Sequence, residues 1–245
     1  MNIAEKLAWF LRSGIDECIN ETPVNRLINT APELQKDEKT LKNTLLEQAI
    51  LAANSAKSLS DLYQIMSTFE ACPLKKTAAC TLTGRGISES PAVLCIGDIP
   101  DSTDEKQKRI FSSESGALLD RMLKAIDLDL NQNAYVTNLI PWRPPGNRKP
   151  TPAETALCLP FLKKQIDFIR PLALLIFGNL PTQALTDIPS VSKARQQSLS
   201  YTSECGNLPV FSTFHPNVVL KMSNHRKFVW EDLQKLQKYL KNRVS

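Results

Sequence analysis

The hydrophobic pattern changes character near residue 90. Upstream, apolar residues recur at helical spacing: Ile3, Leu7, Phe10 and Leu11 share one face of a predicted N-terminal helix, and Leu41, Leu45, Leu46 and Ile50 share another over 41–54. Ser58 and Asp61 stand three apart, a capping-box arrangement ahead of a third run. In that run Leu59, Leu62, Ile65, Met66 and Phe69 fall on one side. The stretch "NTAPELQKDEKT" between the first two helices reads as a polar linker with a proline.

Downstream the rhythm is strand, loop, helix, repeated four times. Short apolar runs stand at "AVLCIG" (92–97), "AYVTN" (134–138), "LALLIFG" (172–178) and "VFSTF" (210–214). Helical stripes follow at 115–126, 153–169, 180–185 and 226–241. This alternation predicts an α/β fold, a four-stranded parallel sheet between two helical layers. Ligands of open parallel sheets bind beyond the carboxyl ends of the strands. Asp98, Asn138 and His215 each stand at or just past such an end, so one crevice is expected to collect them.

Composition narrows the class. Hydrophobic residues make up 42% of 245, enough for a sizeable core. No apolar run approaches the ~18 residues of a membrane span, and the N-terminal helix does not read as a signal peptide. A cytoplasmic protein is expected. The six cysteines form no C-x-x-C pair, so a disulfide framework is not expected, and Cys95 reads as a small core residue. The formal charge of +5 permits contact with nucleic acid. Its distribution says more: Arg143, Arg148 and Lys149 sit without an acid in the proline-rich stretch 143–149.

Each candidate has a plain structural reading beside its chemical one. Asparagine is an ordinary strand breaker, yet the Asn138 carboxamide donates and accepts side by side, matching a nucleobase edge. His215 precedes a proline at a strand end, on a loop; His225, the second histidine, lies in the polar "SNHRKF" and reads as surface. Phe111 can staple the following helix or serve as a stacking platform. "WRPPGNRKP" can be a polar surface loop or a preorganised clamp for phosphates.

Taken together, "GDIPDSTDE", "FSSESGALLDRML", "YVTNLIPWRPPGNRKPTPAE", "CLPFLKKQI" and "FHPNVVL" resemble the uracil-DNA glycosylase superfamily, on its family four branch, over about residues 70–240. The extension with "GIDECINETPVNR" is similar to that of a proteobacterial subgroup. The resemblance implies a helical extension over 1–68 and a glycosylase domain over 69–245, acting as a monomer on uracil-containing DNA. The target nucleotide is flipped into a pocket at the strand ends. Carried over, Asn138 reads the uracil edge, Phe111 stacks on the base, and His215 donates to uracil O2. Asp98 stands where the family has glutamate, and Arg143, Arg148 and Lys149 hold the DNA backbone.

Some positions depart from the family pattern. Its first motif reads Gly-Glu-Ala-Pro-Gly, whereas this chain has Gly97-Asp98-Ile99-Pro100-Asp101. A Pro-Phe-Val-Gly stretch has become Ile110-Phe111-Ser112-Ser113. These changes sustain an alternative, an impaired relative that binds DNA or a flipped base without turnover. Many relatives hold an iron–sulfur cluster on four cysteines. Here Cys72 and Cys158 match two of those positions, and Phe69 and Trp142 stand at the others, so no 4Fe-4S cluster or other metal is expected. A third reading, a nucleotide-binding α/β protein, lacks a glycine-rich phosphate loop after the first strand.

Overall fold

The computed structural model describes residues 31–244, with side chains from 43 to 243. The predicted helix carrying Ile3, Leu7, Phe10 and Leu11 lies outside the described residues. Helix α1 runs Ala31–Ser55, so most of the segment read as a linker is helical. Pro32 stands in its first turn, where a missing N–H leaves no helical bond unmade. Helix α2 spans Leu59–Thr68, and Ser58 caps it by accepting from the Asp61 N–H at 3.1 Å. The Asp61 carboxylate accepts in return from the Lys57 N–H at 2.9 Å, one residue ahead of the cap.

The predicted parallel strands are β2 (Val93–Gly97), β3 (Ala134–Asn138), β4 (Ala173–Phe177) and β6 (Gly206–Thr213). They stand in the order β3-β2-β4-β6. Two antiparallel strands, β1 (Arg85–Gly86) beside β3 and β5 (Leu199–Ser203) beside β6, extend the sheet to six. The sequence pattern did not announce these edges. β1 is two residues long, and β5 alternates half-buried and exposed positions with polar side chains.

Every residue of β2, β3 and β4 is buried, as expected for strands covered on both faces. Alternate residues enter separate cores. Leu94, Ile96, Tyr135, Leu174 and Ile176 pack with α2, with α3 (Pro73–Thr77) and with α6 (Pro152–Ile169). Val93, Cys95, Val136, Leu175 and Phe177 face the other layer. That layer is built from α5 (Glu114–Lys124), α9 (Pro216–Lys221) and α10 (Arg226–Val244). The short helices α4 (Ser102–Gln107), α7 (Asn179–Thr186) and α8 (Val191–Ala194) complete the connections.

Residues 42–245 gather into one compact unit. Ala49, Ala53, Leu62 and Met66 join the same core as the sheet, so this unit takes in helices upstream of residue 69. Among the described residues no helix is long and apolar enough to cross a membrane. Leu62 has no exposed surface, so Leu62→Ala is expected to cost about 2–5 kcal/mol of stability. Urea denaturation measures this, and an unchanged midpoint would show that α2 is dispensable to the core.

Candidate functional site

Asn138 closes β3 in direct register with Gly97, the last residue of β2. The carboxamide is buried and crowds the glycine: a Cβ at position 97 would lie 2.4 Å from Asn138 Oδ1 and 2.7 Å from the Phe111 ring. Only glycine lets these two side chains meet across the strand end. Among the described residues no side-chain hydrogen bond ties the Asn138 carboxamide to the protein. Its amide atoms are not sealed from solvent, so they stay open to a ligand.

His215 follows β6 and caps α9, and it is buried. Its Nδ1 accepts from the Asn217 N–H at 3.2 Å. The neutral ring therefore carries its proton on Nε2, which lies 3.4 Å from Asp98 Oδ1. Asp98 Oδ1 also accepts from the Ile99 N–H at 2.8 Å. The imidazole lies almost parallel to the Phe111 ring, centroids 5.7 Å apart and planes at 22°, with the Phe177 ring edge-on. Gly178 stands at φ +89°, a backbone that favours glycine, although a Cβ built there would meet the His215 Cβ at an ordinary 3.6 Å. Asp98, Phe111, Asn138 and His215 thus form one contiguous group at the carboxyl ends of β2, β3 and β6. A donor, an aromatic face, a carboxamide and a one-third-exposed carboxylate suit recognition of a planar polar ring and cleavage of a bond to it.

The basic loop is less free than its sequence suggests. Arg143 donates through Nη1 to Glu105 at 2.8 Å and through Nε to Asn147 at 2.7 Å. Glu105 also accepts from the Ala79 N–H, and these bonds hold its carboxyl below the ordinary range. Arg148 grips Glu154 with both terminal nitrogens, at 2.8 and 2.5 Å. Glu154 in turn closes a capping box with Thr151 at the start of α6. Among the described residues the Lys149 ammonium has no partner. Sequence reasoning missed Gly97 and Gly178, whose signal is a glycine at a strand end, and Arg85 and Asp104, which carry none. His225, read as surface, is half-buried with its ring edge-on to Phe214 at 4.3 Å.

The four cluster-equivalent residues lie in one core. The Phe69 and Trp142 rings are stacked 6.4 Å apart, and Phe161 meets Phe69 edge-on at 5.0 Å. Trp142 has no exposed surface and donates its indole N–H to Thr81 at 3.0 Å. Cys72 and Cys158 are buried free thiols, and burial pushes the Cys158 thiol well above its ordinary value. Two thiols and two packed rings do not fit a four-thiolate cluster. Among the described residues no group of three or more metal-ligating side chains occurs.

The Arg148 guanidinium, and then the Thr151 bonds, hold the Glu154 carboxyl below the ordinary range. A carboxyl lowered on folding stabilises above its unfolded pKa of about 4.3, and that contribution fades as pH falls through the folded value. Glu154→Gln is therefore expected to be less stable than wild type at pH 6, with the gap closing on acidification. Denaturation midpoints across pH check this; a constant gap would mean the carboxylate charge is not what matters.

The family model described as "Uracil DNA glycosylase superfamily" matches residues 85–234. The Type-4 uracil-DNA glycosylase of Thermotoga maritima is 31% identical, over 70% of this chain and 88% of its own length. Those of Sulfurisphaera tokodaii and Archaeoglobus fulgidus are each 29% identical over 74% of this chain, covering 84% and 92% of the relatives. With the parallel sheet and the polar group at its strand ends in place, the chain belongs to the uracil-DNA glycosylase superfamily.

Proposed function

We propose that this protein is a uracil-DNA glycosylase, which hydrolyses the bond between uracil N1 and deoxyribose C1′ in DNA and so opens base excision repair. The observation that carries the reading is the Asn138 carboxamide, without a side-chain hydrogen bond among the described residues, beside an aromatic face and a histidine protonated on Nε2. Relatives named as Type-4 uracil-DNA glycosylases support the same chemistry.

As the N1–C1′ bond breaks, its electron pair moves onto uracil and positive charge develops on the sugar. His215 Nε2–H turns from Asp98 to uracil O2 and stabilises the leaving anion where charge develops. Asp98, freed of that contact, stabilises the cation or orients the water whose oxygen bonds to C1′. Phe111 stacks on the flipped base, and Asn138 accepts from N3–H and donates to O4. The protein works as a cytoplasmic monomer without an iron–sulfur cluster. Beyond the sheet, Lys149 and the unpaired N–H groups of Arg143 and Arg148 contact the DNA backbone. The impaired alternative rested on Asp101 and Ser113. Asp101 caps α4, and the Ser113 hydroxyl bonds Ser115 at 2.9 Å, so each is accommodated without touching Asn138 or His215.

The direct test is incubation of purified protein with a uracil-containing oligonucleotide, followed by alkali to reveal abasic sites; intact strands would refute the proposal. His215→Ala is expected to lower single-turnover cleavage by about 10²–10³ while DNA affinity changes far less. Equal losses in both would make the histidine structural. Asn138→Asp should abolish most uracil cleavage, since each mismatched polar contact costs about 1–3 kcal/mol. Wild-type rates in that variant would mean that Asn138 does not read the base.

Two further outcomes concern binding and metal. Lys149→Ala should reduce the salt slope of log K by about 0.9 on duplex DNA, and Arg148→Ala by less, because Glu154 already matches its charge. Unchanged slopes would remove the loop from the interface. Anaerobically purified protein should carry no stoichiometric iron; about four irons per chain would show that a cluster forms on another ligand set.

A further inference from the structure

Phe111 holds a left-handed backbone, φ +50°, which a bulky residue adopts only where its surroundings enforce it. The enforcement is visible on three sides. Arg85, on the edge strand β1, donates through Nε to the Ile110 carbonyl at 3.1 Å and through Nη2 to the Phe111 carbonyl at 3.2 Å. Buried Asp104 accepts two bonds at one oxygen from Ser112, from its N–H at 2.7 Å and its hydroxyl at 2.8 Å. Gly116 lets α5 press against the Phe111 carbonyl, where a Cβ would come within 1.8 Å.

Asp104 is itself ordered by Asp101. Asp101 Oδ1 accepts from the Thr103 and Asp104 N–H groups at 2.7 and 2.9 Å, and Asp104 Oδ2 accepts back from the Asp101 N–H at 3.2 Å. Asp101 and Ser112, two of the residues that depart from the family pattern, are therefore linked through one carboxylate. The serine hydroxyl makes a bond to Asp104 that the valine of the family pattern cannot make.

We propose that Asp101, Asp104 and Arg85 are positioning residues that lock Phe111 as the platform for the flipped base. The bonds end on the residues flanking the ring, Ile110 and Ser112, and on the carbonyl of Phe111 itself. The ring they fix lies parallel to His215 and against Gly97, where the base-reading Asn138 also meets it. A platform fixed before the base arrives avoids the entropic cost of ordering it during binding. This inference rests on the reading of Phe111 as the stacking side chain.

The test separates the two. Affinity for free uracil, read as competitive inhibition of cleavage, is compared with affinity for uracil-free DNA and with thermal stability. Phe111→Ala is expected to weaken uracil binding by about 5- to 150-fold, the range spanned by loss of base–aromatic stacking. Asp104→Ala and Arg85→Met should each weaken it by about 5-fold or more, with uracil-free DNA bound within about twofold of wild type. In the Phe111→Ala background the same substitutions should add less than about twofold, because they act through the ring that is already gone. Asp104→Asn, which keeps an oxygen for Ser112, should recover most of the loss.

If Phe111→Ala itself leaves uracil binding unchanged, the stacking reading fails and the positioning role with it. If Phe111→Ala weakens binding but Asp104→Ala and Arg85→Met do not, or if their losses multiply with that of Phe111→Ala, the positioning role alone is overturned. Should Asp104→Ala fail to fold, Arg85→Met carries the same comparison.

Discussion

The site depends on the absence of one side chain. At the carboxyl end of β2, Gly97 is flanked by the Asn138 carboxamide and the Phe111 ring, and both occupy the space a Cβ would need. Any larger residue would push one of them away. The register that pairs Gly97 with Asn138 makes this contact unavoidable once the two strands are parallel neighbours. His215 then joins from β6 through its stacking on Phe111, and Asp98 through its place directly after the glycine. The grouping of these side chains is thus a packing consequence of sheet order and register.

The loops beyond the sheet are held by charge paired within the protein. Arg143 joins the β3 loop to α4 through Glu105, and Arg148 joins it to the start of α6 through Glu154. A bidentate guanidinium–carboxylate pair fixes direction as well as distance, so the loop presents one shape to a ligand. The arginines therefore serve shape first and leave part of their donor capacity outward. Lys149 is the complementary case, a charge that no group among the described residues takes up. This division of labour follows from which cations find a carboxylate, something that local composition does not reveal.

Next to that loop, Phe69, Cys72, Trp142 and Cys158 lie in one core. Stacked Phe69 and Trp142 and the edge-on Phe161 bury large apolar area, and the one polar atom of the indole is satisfied by Thr81. Buried aromatics placed this way contribute dispersion and area burial without a metal. The two cysteines that remain are buried as free thiols in the same core. α2 and α6 therefore meet here through side-chain packing.

The sequence by itself determined the parallel strands, because buried five-residue apolar runs between amphipathic stretches admit few other arrangements. It also placed Asp98, Asn138 and His215 at strand ends, and the ordered motifs identified the family. Tertiary structure decided what no local pattern encodes. β1 is too short to leave a periodic signal, yet it brings Arg85 to the Phe111 carbonyl from 26 residues away in the chain. Asp104 reads as one acid among several in a polar helix, and becomes a buried acceptor only when residues 110–112 fold back over it. The basic loop looks uniformly cationic until Glu105 and Glu154 arrive from other elements. Spacing along the chain reports faces and ends of elements; pairing between them depends on distances that exist only once the layers have packed.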